Sequence, residues 1–299
     1  MKKHKLAVVA GLVTSLVLTG AAALPAQAAK PQPVSPRTYS ALGDSYASGF
    51  GAGATINALY QSAQAYPVVL AKGANVNFLA VGSGGTTATV AAYQIPLIPR
   101  TTKQVTLTVG GNDLGFVPKA TACFTDPTAC AFSDADRVKL RTLTTSLSAN
   151  IAAIHAKAPA ATIYVTGYPL LFQAAQTPGD SGLCIAGDTP YGPLGISEAQ
   201  ADALDADAVA LNHAIQSAIA RRTERYTKYV DVTAAFTGHG LCGTPSYTSQ
   251  VPNPNSYINP VHVTTAGVDA AAGPLHPTAA GQQAYAASIR AEGFRSFKD

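Results

Sequence analysis

The chain has 299 residues, of which 12% are charged and 47% are hydrophobic, and its formal net charge at pH 7 is +4. Lys2, Lys3 and Lys5 supply three of those positive charges, so residues 29–299 have a formal charge of only +1. A nearly neutral protein gives no electrostatic reason to expect binding to nucleic acid or to an anionic membrane surface. The length and apolar content are typical of one sizeable compact domain.

The first 28 residues have the parts of a secretory signal peptide. A basic start precedes an apolar run over 6–24, and Ala26-Gln27-Ala28 supplies the small residues of a cleavage site. An uncleaved membrane anchor is the alternative, but Pro25 and the Ala-x-Ala pattern favour cleavage. We therefore predict export of the mature chain, with a signal peptide at 1–28, a proline-containing leader at 29–37 and one domain at 38–299.

Five apolar runs along the domain predict β-strands, at 39–42, 76–81, 105–109, 161–166 and 229–232. The segments between and after them predict helices, including those at 60–72, 136–157, 197–222 and 277–292. Strands that alternate with helices favour a parallel sheet covered on both faces. We expect 115–132 to be irregular, and we expect 170–195 and 238–269 to be long loops that shape a binding site.

Side chains with useful chemistry follow the early strands and precede the last helix. Ser45 follows the first strand, Gly84 the second and Asn112 the third, whereas His276 comes just before the final helix. The carboxyl ends of parallel strands meet at one edge of a sheet, where ligands collect. Taken singly, each of these segments has the residues of an ordinary turn. Together they supply a hydroxyl, a base and two donors for an oxyanion, which are the groups that acyl transfer needs.

The four cysteines of an exported chain are most simply explained as two disulfides. Three pairings are possible, and we favour Cys123 with Cys130 and Cys184 with Cys242. The chain has no Cys-x-x-Cys pair, and its histidines do not cluster near the cysteines, which argues against a zinc site. We expect no metal and no cofactor.

The motifs resemble, in order, the blocks of the SGNH, or GDSL-type, hydrolases. The similar segments are Gly43-Asp44-Ser45, Ser83-Gly84-Gly85-Thr86, Gly110-Gly111-Asn112-Asp113 and Leu275-His276-Pro277. Ala65-Tyr66-Pro67 is also similar to the secreted actinomycete lipase and esterase branch. The resemblance implies a three-layer α/β/α flavodoxin-like sandwich with a central five-stranded parallel sheet. It further implies Ser45 as nucleophile and His276 as base, with an oxyanion hole made by the Ser45 and Gly84 N–H groups and the Asn112 side chain.

Two departures from the family pattern affect these expectations. Many relatives have an aspartate three residues before the histidine, where Gly273 stands here. The resemblance then implies that a backbone carbonyl, of Gly273 or Pro274, orients the ring, with the Asp269 side chain as the alternative.

The second departure concerns disulfides. In this branch a third bond often joins a cysteine before the Tyr-Pro segment to a cysteine in the second block. Leu59 and Gly82 stand at about the positions of those two cysteines here. The Cys123–Cys130 and Cys184–Cys242 pairs remain, and we predict more backbone freedom near Gly84.

Three alternatives to a lipase or esterase remain open at this point. Gly179-Asp180-Ser181-Gly182 is similar to the nucleophile motif of chymotrypsin-like proteases, but that fold is all-β. A non-catalytic exported binding protein would be expected to lack one of the reacting groups. A carbohydrate acetyl esterase would need polar and aromatic side chains around the site, for which the candidates are Tyr168, Tyr191, Tyr247, Asn253, Asn255, Tyr257 and Asn259.

We favour the lipase or carboxylesterase, because the two long loops offer apolar walls for an acyl chain. The candidate wall residues are Leu170, Leu171, Phe172, Leu183, Ile185, Leu194, Leu241, Val251 and Ile258. We expect a monomer that acts on a small-molecule or lipid ester. Dependence on a neutral His276 predicts activity that falls below about pH 6.5.

Overall fold

The computed structural model describes residues 38–173, 183–221, 226–242 and 253–295. The predicted signal peptide and leader lie outside these ranges, as do Ser181, Tyr247 and Val251. The strands are β1 (Tyr39–Gly43), β2 (Val76–Phe78), β3 (Gln104–Thr108), β4 (Thr162–Thr166), β5 (Leu183–Thr189), β6 (Gly192–Ser197), β7 (Thr227–Val230), β8 (Val261–Thr264) and β9 (Gly267–Val268). The α-helices are α1 (Ser45–Ser48), α2 (Tyr66–Ala71), α3 (Thr87–Thr89), α4 (Gly111–Leu114), α5 (Phe116–Cys123), α6 (Asp134–Lys157), α7 (Glu198–Ala220) and α8 (Ala279–Ala291).

A five-stranded parallel sheet with the strand order β2-β1-β3-β4-β7 forms the centre of the domain. Every residue of β1 and β3 is buried, as expected when helices cover both faces of a parallel sheet. Leu42 pairs with Leu107 and Gly43 with Thr108, so the chain leaves both strands at the same edge. The sheet confirms the predicted α/β architecture and places the loops after β1 and β3 side by side.

The long helices begin and pack as their sequences predict. Ser133 and Asp136 form a capping box at the start of α6, and Ser197 and Gln200 form one at the start of α7. The leucines and isoleucines of α6 recur at helical spacing on its buried face. The helix α8 begins after Thr278, whose side chain accepts a hydrogen bond from the Gly281 N–H at 3.3 Å. Because Thr278 comes two residues after His276, this cap fixes the end of the segment that carries His276, here called the histidine segment.

Three expectations about local structure were wrong. The strands β5, β6, β8 and β9 form a second, mixed sheet within segments that we expected to be loops. The segment expected to be irregular contains α5, and the helix expected at 60–72 is confined to α2. The centre of β5 is a run of small and apolar residues, Cys184 to Gly187, that is buried throughout and so lacks the polar-apolar alternation of a half-exposed strand.

Both predicted disulfides are present, Cys123–Cys130 and Cys184–Cys242. The first connects the end of α5 to the short 3₁₀ turn Pro127–Cys130. The second connects β5 to the segment after the turn Ala234–Phe236, and thereby attaches the second sheet to the body of the domain. Within the described residues, no helix has the length and apolar character needed to cross a bilayer.

Candidate active site

Ser45 lies at the first position of α1, immediately after β1. Asp44 caps this helix, because its Oδ1 accepts a hydrogen bond from the Tyr46 N–H at 3.0 Å. A residue in the first turn of a helix has no carbonyl four residues before it in the helix, so the Ser45 N–H has no intrahelical acceptor. The Ser45 side chain is 8% exposed and lines an open groove. Both its hydroxyl and its N–H are therefore placed at the edge of the sheet where β1 ends.

His276 is positioned by hydrogen bonds at both of its ring nitrogens. Its Nε2 lies 2.7 Å from Ser45 Oγ, and its Nδ1 lies 2.8 Å from the carbonyl oxygen of Pro274. A carbonyl can only accept a hydrogen bond, so Nδ1 carries the proton and the Nε2 lone pair faces the serine hydroxyl. The ring is 7% exposed, and burial lowers the pKa of His276 to about 4. The imidazole is therefore neutral, and able to accept a proton, over most of the pH range.

The structure shows which group contacts Nδ1, the ring nitrogen of His276 that faces away from Ser45. The Pro274 carbonyl accepts from Nδ1, whereas the Gly273 carbonyl accepts the His276 main-chain N–H at 3.2 Å. The Asp269 side chain instead accepts the Ala271 N–H at 3.0 Å and starts the 3₁₀ turn Ala270–Ala272. Of the three candidates named from the sequence, Pro274 is the one whose carbonyl oxygen is hydrogen-bonded to Nδ1, and its role in orienting the ring stays a prediction.

Glycine is required where the histidine segment meets the loop after α1. A Cβ on Gly273 would lie 2.4 Å from the Cα of Gly51, and Gly273 has a φ of +65°. The Asn259 side chain joins the same two segments, donating to the Gly51 carbonyl at 3.0 Å and to the His276 carbonyl at 3.1 Å. The glycine-rich loop after α1 thus supports the histidine.

Asn112 and Gly84 line the same groove as Ser45 and His276. Asn112 lies in α4, and its Nδ2 donates one hydrogen bond to the Gly85 carbonyl at 2.9 Å. An amide nitrogen has a second hydrogen, which remains available to a ligand. Gly84 has a φ of +65°, and no atom lies within 4 Å of the position that a Cβ would occupy. The predicted oxyanion donors are therefore grouped around one opening.

Further hydrogen bonds fix the segment that contains Gly84. The Asp113 carboxylate accepts the Thr87 N–H at 3.1 Å and the Thr87 hydroxyl at 2.5 Å. The Asn150 side chain donates to the Thr87 carbonyl at 2.9 Å. Gly85 packs so closely on Asp44 that a Cβ there would lie 2.7 Å from the Asp44 Cα. The loops after β1, β2 and β3 are thus joined directly to one another.

Leu59 and Gly82, where the sequence indicated a missing disulfide, are neighbours in the structure. The Gly82 N–H donates to the Leu59 carbonyl at 2.8 Å, and a Cβ on Gly82 would lie 2.4 Å from the Cβ of Tyr60. The Gln61 Nε2 also donates to the carbonyls of Phe78 and Ala80 at 3.1 and 2.8 Å. Hydrogen bonds thus join the two segments, and the greater backbone freedom near Gly84 stays a prediction.

The groove has a volume of about 460 Å³, and none of the predicted wall residues within the described ranges lines it. Its apolar lining comes from the loop after α1, from α5 and from the turn before His276, through the side chains of Phe50, Tyr60, Val117, Pro118, Ala270, Ala271 and Pro274. Of the predicted wall residues, Leu171, Phe172, Ile185, Leu241 and Ile258 are buried in the hydrophobic core. Among the predicted wall residues that the structure describes, only Leu171 lines a second, narrower cavity, of about 20 Å³, beside Ser45 and Asn112.

Most of the candidate sugar-binding side chains have other roles in the described structure. The Asn253 side chain is 3% exposed and donates to the Gly240 carbonyl at 2.9 Å. Tyr257 stacks on His239 with 3.8 Å between ring centroids. Tyr191 is exposed at the β5–β6 turn and does not line either cavity beside Ser45. Asn259 is likewise engaged, because it holds the segment before His276. None of these four side chains lines the groove, whose lining is mainly apolar.

Tyr168 and Asp44 form a buried pair that the sequence did not predict. The Tyr168 hydroxyl donates to Asp44 Oδ2 and accepts the Gly111 N–H at 3.0 Å. Burial raises the pKa of Asp44 to about 7, although the hydrogen bond from Tyr168 opposes that rise. The pair connects the loop after β4 to those after β1 and β3. The local sequence carries no signal for it, since the two partners are 124 residues apart.

The sequence of this chain matches a protein-family model and several curated proteins. The model describes the GDSL-like Lipase/Acylhydrolase family and matches residues 41–284. The chain is 32% identical over 286 residues to the lipase of Streptomyces rimosus, covering 91% of this chain and 93% of that protein. It is also 32% identical over 285 residues to Lipase 1 of Streptomyces coelicolor, with the same coverage.

Two solved structures also resemble this one along most of its length. Phospholipase A1 from Streptomyces albidoflavus aligns with a TM-score of 0.64 and 29% identity, over 85% of this chain and 98% of that one. The extracellular lipase of Streptomyces rimosus aligns with a TM-score of 0.65 and 27% identity, over 85% and 99%. The match to the family model spans the segments that contain Ser45, Gly84, Asn112 and His276. This chain therefore belongs to the GDSL-like Lipase/Acylhydrolase family and is a carboxylic ester hydrolase.

Proposed function

We propose that this protein is an exported serine esterase or lipase that forms an acyl-enzyme on Ser45. The observation that carries the proposal is the pair of hydrogen bonds to the His276 ring, 2.7 Å to Ser45 Oγ and 2.8 Å to the Pro274 carbonyl. This arrangement holds the ring in the tautomer that accepts a proton from serine. A carbonyl stabilises the resulting imidazolium less than a carboxylate does, but it fixes the same orientation.

In the first half of the reaction, Ser45 Oγ attacks the ester carbonyl carbon while its proton moves to His276 Nε2. The carbonyl oxygen becomes an oxyanion, which the N–H groups of Ser45 and Gly84 and the Asn112 amide stabilise. The tetrahedral intermediate then breaks its bond to the alcohol oxygen, which takes the proton from Nε2. In the second half, water attacks the acyl-enzyme by the same route, and Ser45 regains its proton.

The groove supports an acyl or alcohol portion of apolar character. Phe50, Tyr60, Val117 and Pro118 contribute side chains to it, and no lysine, arginine, glutamate or aspartate is among the groove-lining residues that the structure describes. A concave apolar site with a few convergent polar groups is typical of ligand pockets. Two similar proteins are named as a lipase and a phospholipase A1, which supports a lipid ester as the substrate.

Export is supported by the N-terminal sequence and by one relative. Residues 1–28 have the basic, apolar and small-residue regions of a signal peptide. The Streptomyces rimosus lipase is described as extracellular. Mass spectrometry of the protein from the culture medium of an expressing actinomycete tests this, since cleavage predicts an N-terminus at Ala29. Retention of residues 1–28 on a cell-bound protein would contradict it.

The experiment for the catalytic proposal compares hydrolysis of p-nitrophenyl esters from acetate to palmitate by the wild-type protein and three variants. Ser45→Ala and His276→Ala are expected to lower kcat by at least about a thousandfold, because each removes one of the two reacting groups. Ser40→Ala is the matched control, since Ser40 is a fully buried serine of β1, the strand that ends just before Ser45. Its activity is expected to match that of the wild type.

Covalent labelling identifies the nucleophile independently of turnover. Diethyl p-nitrophenyl phosphate is expected to transfer one diethylphosphoryl group to Ser45 with release of p-nitrophenolate, which peptide mass spectrometry locates. Labelling of another serine, or full activity in Ser45→Ala, would contradict the proposal. Hydrolysis of acetate alone would favour an acetyl esterase over a lipase.

A further inference from the structure

The loop that contributes Tyr60 to the groove has an inverted distribution of polar and apolar side chains. The loop 54–62, between α1 and α2, exposes Ile56, Leu59 and Tyr60 to solvent at 56%, 50% and 53% of their surfaces. Its Gln61 and Ser62 side chains are buried instead, at 3% and 1% exposure. Large apolar side chains exposed together in this way commonly mark an interaction surface.

Polar interactions within the loop fix its backbone without using its exposed apolar side chains. Asn57 Oδ1 accepts the Leu59 N–H at 3.0 Å, and Asn57 Nδ2 donates to Gln61 Oε1 at 2.8 Å. An isolated antiparallel bridge between Thr55 and Ser62 closes the loop at its base. None of these interactions uses the side chains of Ile56 or Leu59. The hydrogen bonds of the loop therefore do not require these two side chains to be exposed, and the exposure of apolar side chains to water is unfavourable.

The displayed side chains continue directly into the groove. The Tyr60 ring contacts the Phe50 ring edge to face, with centroids 5.8 Å apart, and the Phe50 ring contacts His276 in the same way at 5.1 Å. An unbroken path of rings thus runs from the solvent-exposed loop to the histidine. Ala270 and Ala271 are also exposed and line the same groove. Two separate exposed segments of the groove lining are therefore apolar.

The surrounding sequence is almost uncharged. Lys72 is the only lysine, arginine, aspartate or glutamate from 45 to 99, and Asp269 is the only one from 263 to 275. A surface that bound an anionic membrane would be expected to carry lysines or arginines. Exposed aliphatic side chains with a tyrosine beside them instead suit the boundary between water and a neutral lipid, where tyrosine is enriched.

We propose that Ile56, Leu59 and Tyr60 form a docking surface, here called the lipid rim, which inserts into the surface of a neutral or zwitterionic lipid aggregate. Docking there would place the groove opening against the lipid layer, so that an ester could move along the Tyr60–Phe50 path to Ser45 without crossing water. This inference rests on the proposed esterase function for its purpose. The binding itself requires no catalysis.

A tryptophan at the lipid rim tests the inference directly, because the chain contains no tryptophan of its own. Leu59→Trp is made in the Ser45→Ala background, so that the lipid is not hydrolysed, and is mixed with dioleoylphosphatidylcholine vesicles. Its emission is expected to shift to shorter wavelength as the indole enters the lipid. Val138→Trp in the same background is the matched control, since Val138 is 52% exposed on α6 and lies outside the groove. Its emission is expected not to change.

Removal of the apolar side chains gives the second measurement. Ile56→Ser/Leu59→Ser is expected to lower the apparent partition constant for the vesicles by about tenfold or more, because two half-exposed aliphatic groups lose their transfer into lipid. Its rate on a dispersed long-chain ester is expected to fall similarly, whereas its kcat/KM on dissolved p-nitrophenyl acetate is expected to stay within about twofold of the wild type. Val138→Ser/Val209→Ser, which alters exposed residues of α6 and α7, is expected to change neither.

Three results would overturn the lipid rim. One is the absence of vesicle binding by the Ser45→Ala protein, and another is equal binding by the rim and control variants. The third is a shift of Leu59→Trp emission that depends on protein concentration without lipid, accompanied by a dimer in sedimentation, since a second copy would then cover the rim. Failure of the wild type to hydrolyse dissolved esters would contradict the proposed function instead, and vesicle binding would still be measurable.

Discussion

The Tyr46 hydroxyl donates a hydrogen bond to the carbonyl oxygen of Leu275, with 2.5 Å between the two oxygen atoms. Leu275 is fully buried and has a φ of +61°, a left-handed conformation that is costly for a residue other than glycine. The Leu275 N–H also donates to the Asn259 carbonyl at 3.0 Å. These two hydrogen bonds hold the residue before His276, so Tyr46 acts as a positioning residue for the ring.

We expect Tyr46→Phe to lower kcat by about three- to tenfold with little change in KM. Loss of one buried hydrogen bond of about 1 kcal/mol would let Leu275 and the His276 ring move from their present alignment. Tyr285→Phe is the control, because the Tyr285 hydroxyl also donates to a buried carbonyl, that of Gly167 at 3.2 Å. Steady-state kinetics on a dissolved ester measure both. A wild-type kcat in Tyr46→Phe, or an equal loss in Tyr285→Phe, would contradict the positioning role.

The pH dependence of activity is expected to differ from the one predicted from the sequence. His276 accepts a proton only when neutral, and burial lowers its pKa to about 4, so the neutral form persists well below pH 6.5. We expect kcat/KM at pH 5.5 to exceed about three quarters of its maximum and to be half lost near pH 4, because kcat/KM reports the pKa of the free enzyme. Circular dichroism at each pH separates loss of activity from unfolding. A midpoint near pH 6.5 would show that the ring titrates as an exposed histidine does.

Asn112→Ala is expected to lower kcat on the order of a hundredfold, the usual cost of removing one oxyanion donor. The variant also loses the hydrogen bond from Asn112 Nδ2 to the Gly85 carbonyl, so a control must weaken the same loop without facing the groove. Asn150→Ala does this, because Asn150 is buried and its Nδ2 donates to the Thr87 carbonyl. We expect less than about a fivefold loss there. Equal losses in the two variants would show that Asn112 supports the loop rather than the oxyanion.

The groups around Ser45 could be predicted from sequence because local signals place them. An apolar run followed by Gly43 ends β1 just before Ser45, and Gly110 ends the run of β3 just before Asn112. Parallel pairing of β1 and β3 in register then brings the two loops together. The central sheet followed from the same signals. The strands themselves differ from the predicted segments by up to three residues at one end, as for β2.

The supporting residues could not be predicted, because their partners are remote in sequence. Tyr46 contacts a residue 229 positions away, and Tyr168 contacts Asp44 across 124 positions. Neither contact leaves a periodic pattern. The second sheet escaped prediction mainly because β5 lacks the polar-apolar alternation of a half-exposed strand, and its pairing with β8 spans a long intervening segment. The low pKa of His276 also depends on burial, which the motif Leu275-His276-Pro277 does not encode.

Asp44→Asn is expected to change how stability depends on pH. Burial raises the pKa of Asp44 to about 7 in the folded state, above that of a carboxyl in the unfolded chain, so the folded protein holds this proton to higher pH. The contribution of Asp44 to the free energy of unfolding should therefore decrease as pH rises from about 4 to about 7, by at most about 4 kcal/mol. Urea unfolding should show a shallower decrease in Asp44→Asn than in the wild type. What remains in the variant is a decrease from Asp205, whose pKa burial raises to about 6, opposed by an increase from His276, whose pKa burial lowers to about 4. A slope identical to that of the wild type would contradict this assignment.

Loss of one disulfide is expected to lower mainly stability, whereas loss of the other is expected to affect mainly substrate binding. The Cys184–Cys242 bond spans 58 residues and Cys123–Cys130 spans 7, so loop closure predicts losses of about 4 and about 2.5 kcal/mol when each pair is changed to alanine. Only the shorter bond constrains α5, which carries the groove residue Val117. We expect Cys184→Ala/Cys242→Ala to unfold at lower urea concentration, and Cys123→Ala/Cys130→Ala to show the larger change in KM on a long-chain ester. The opposite order in either measurement would show that loop length and groove contact do not govern these bonds.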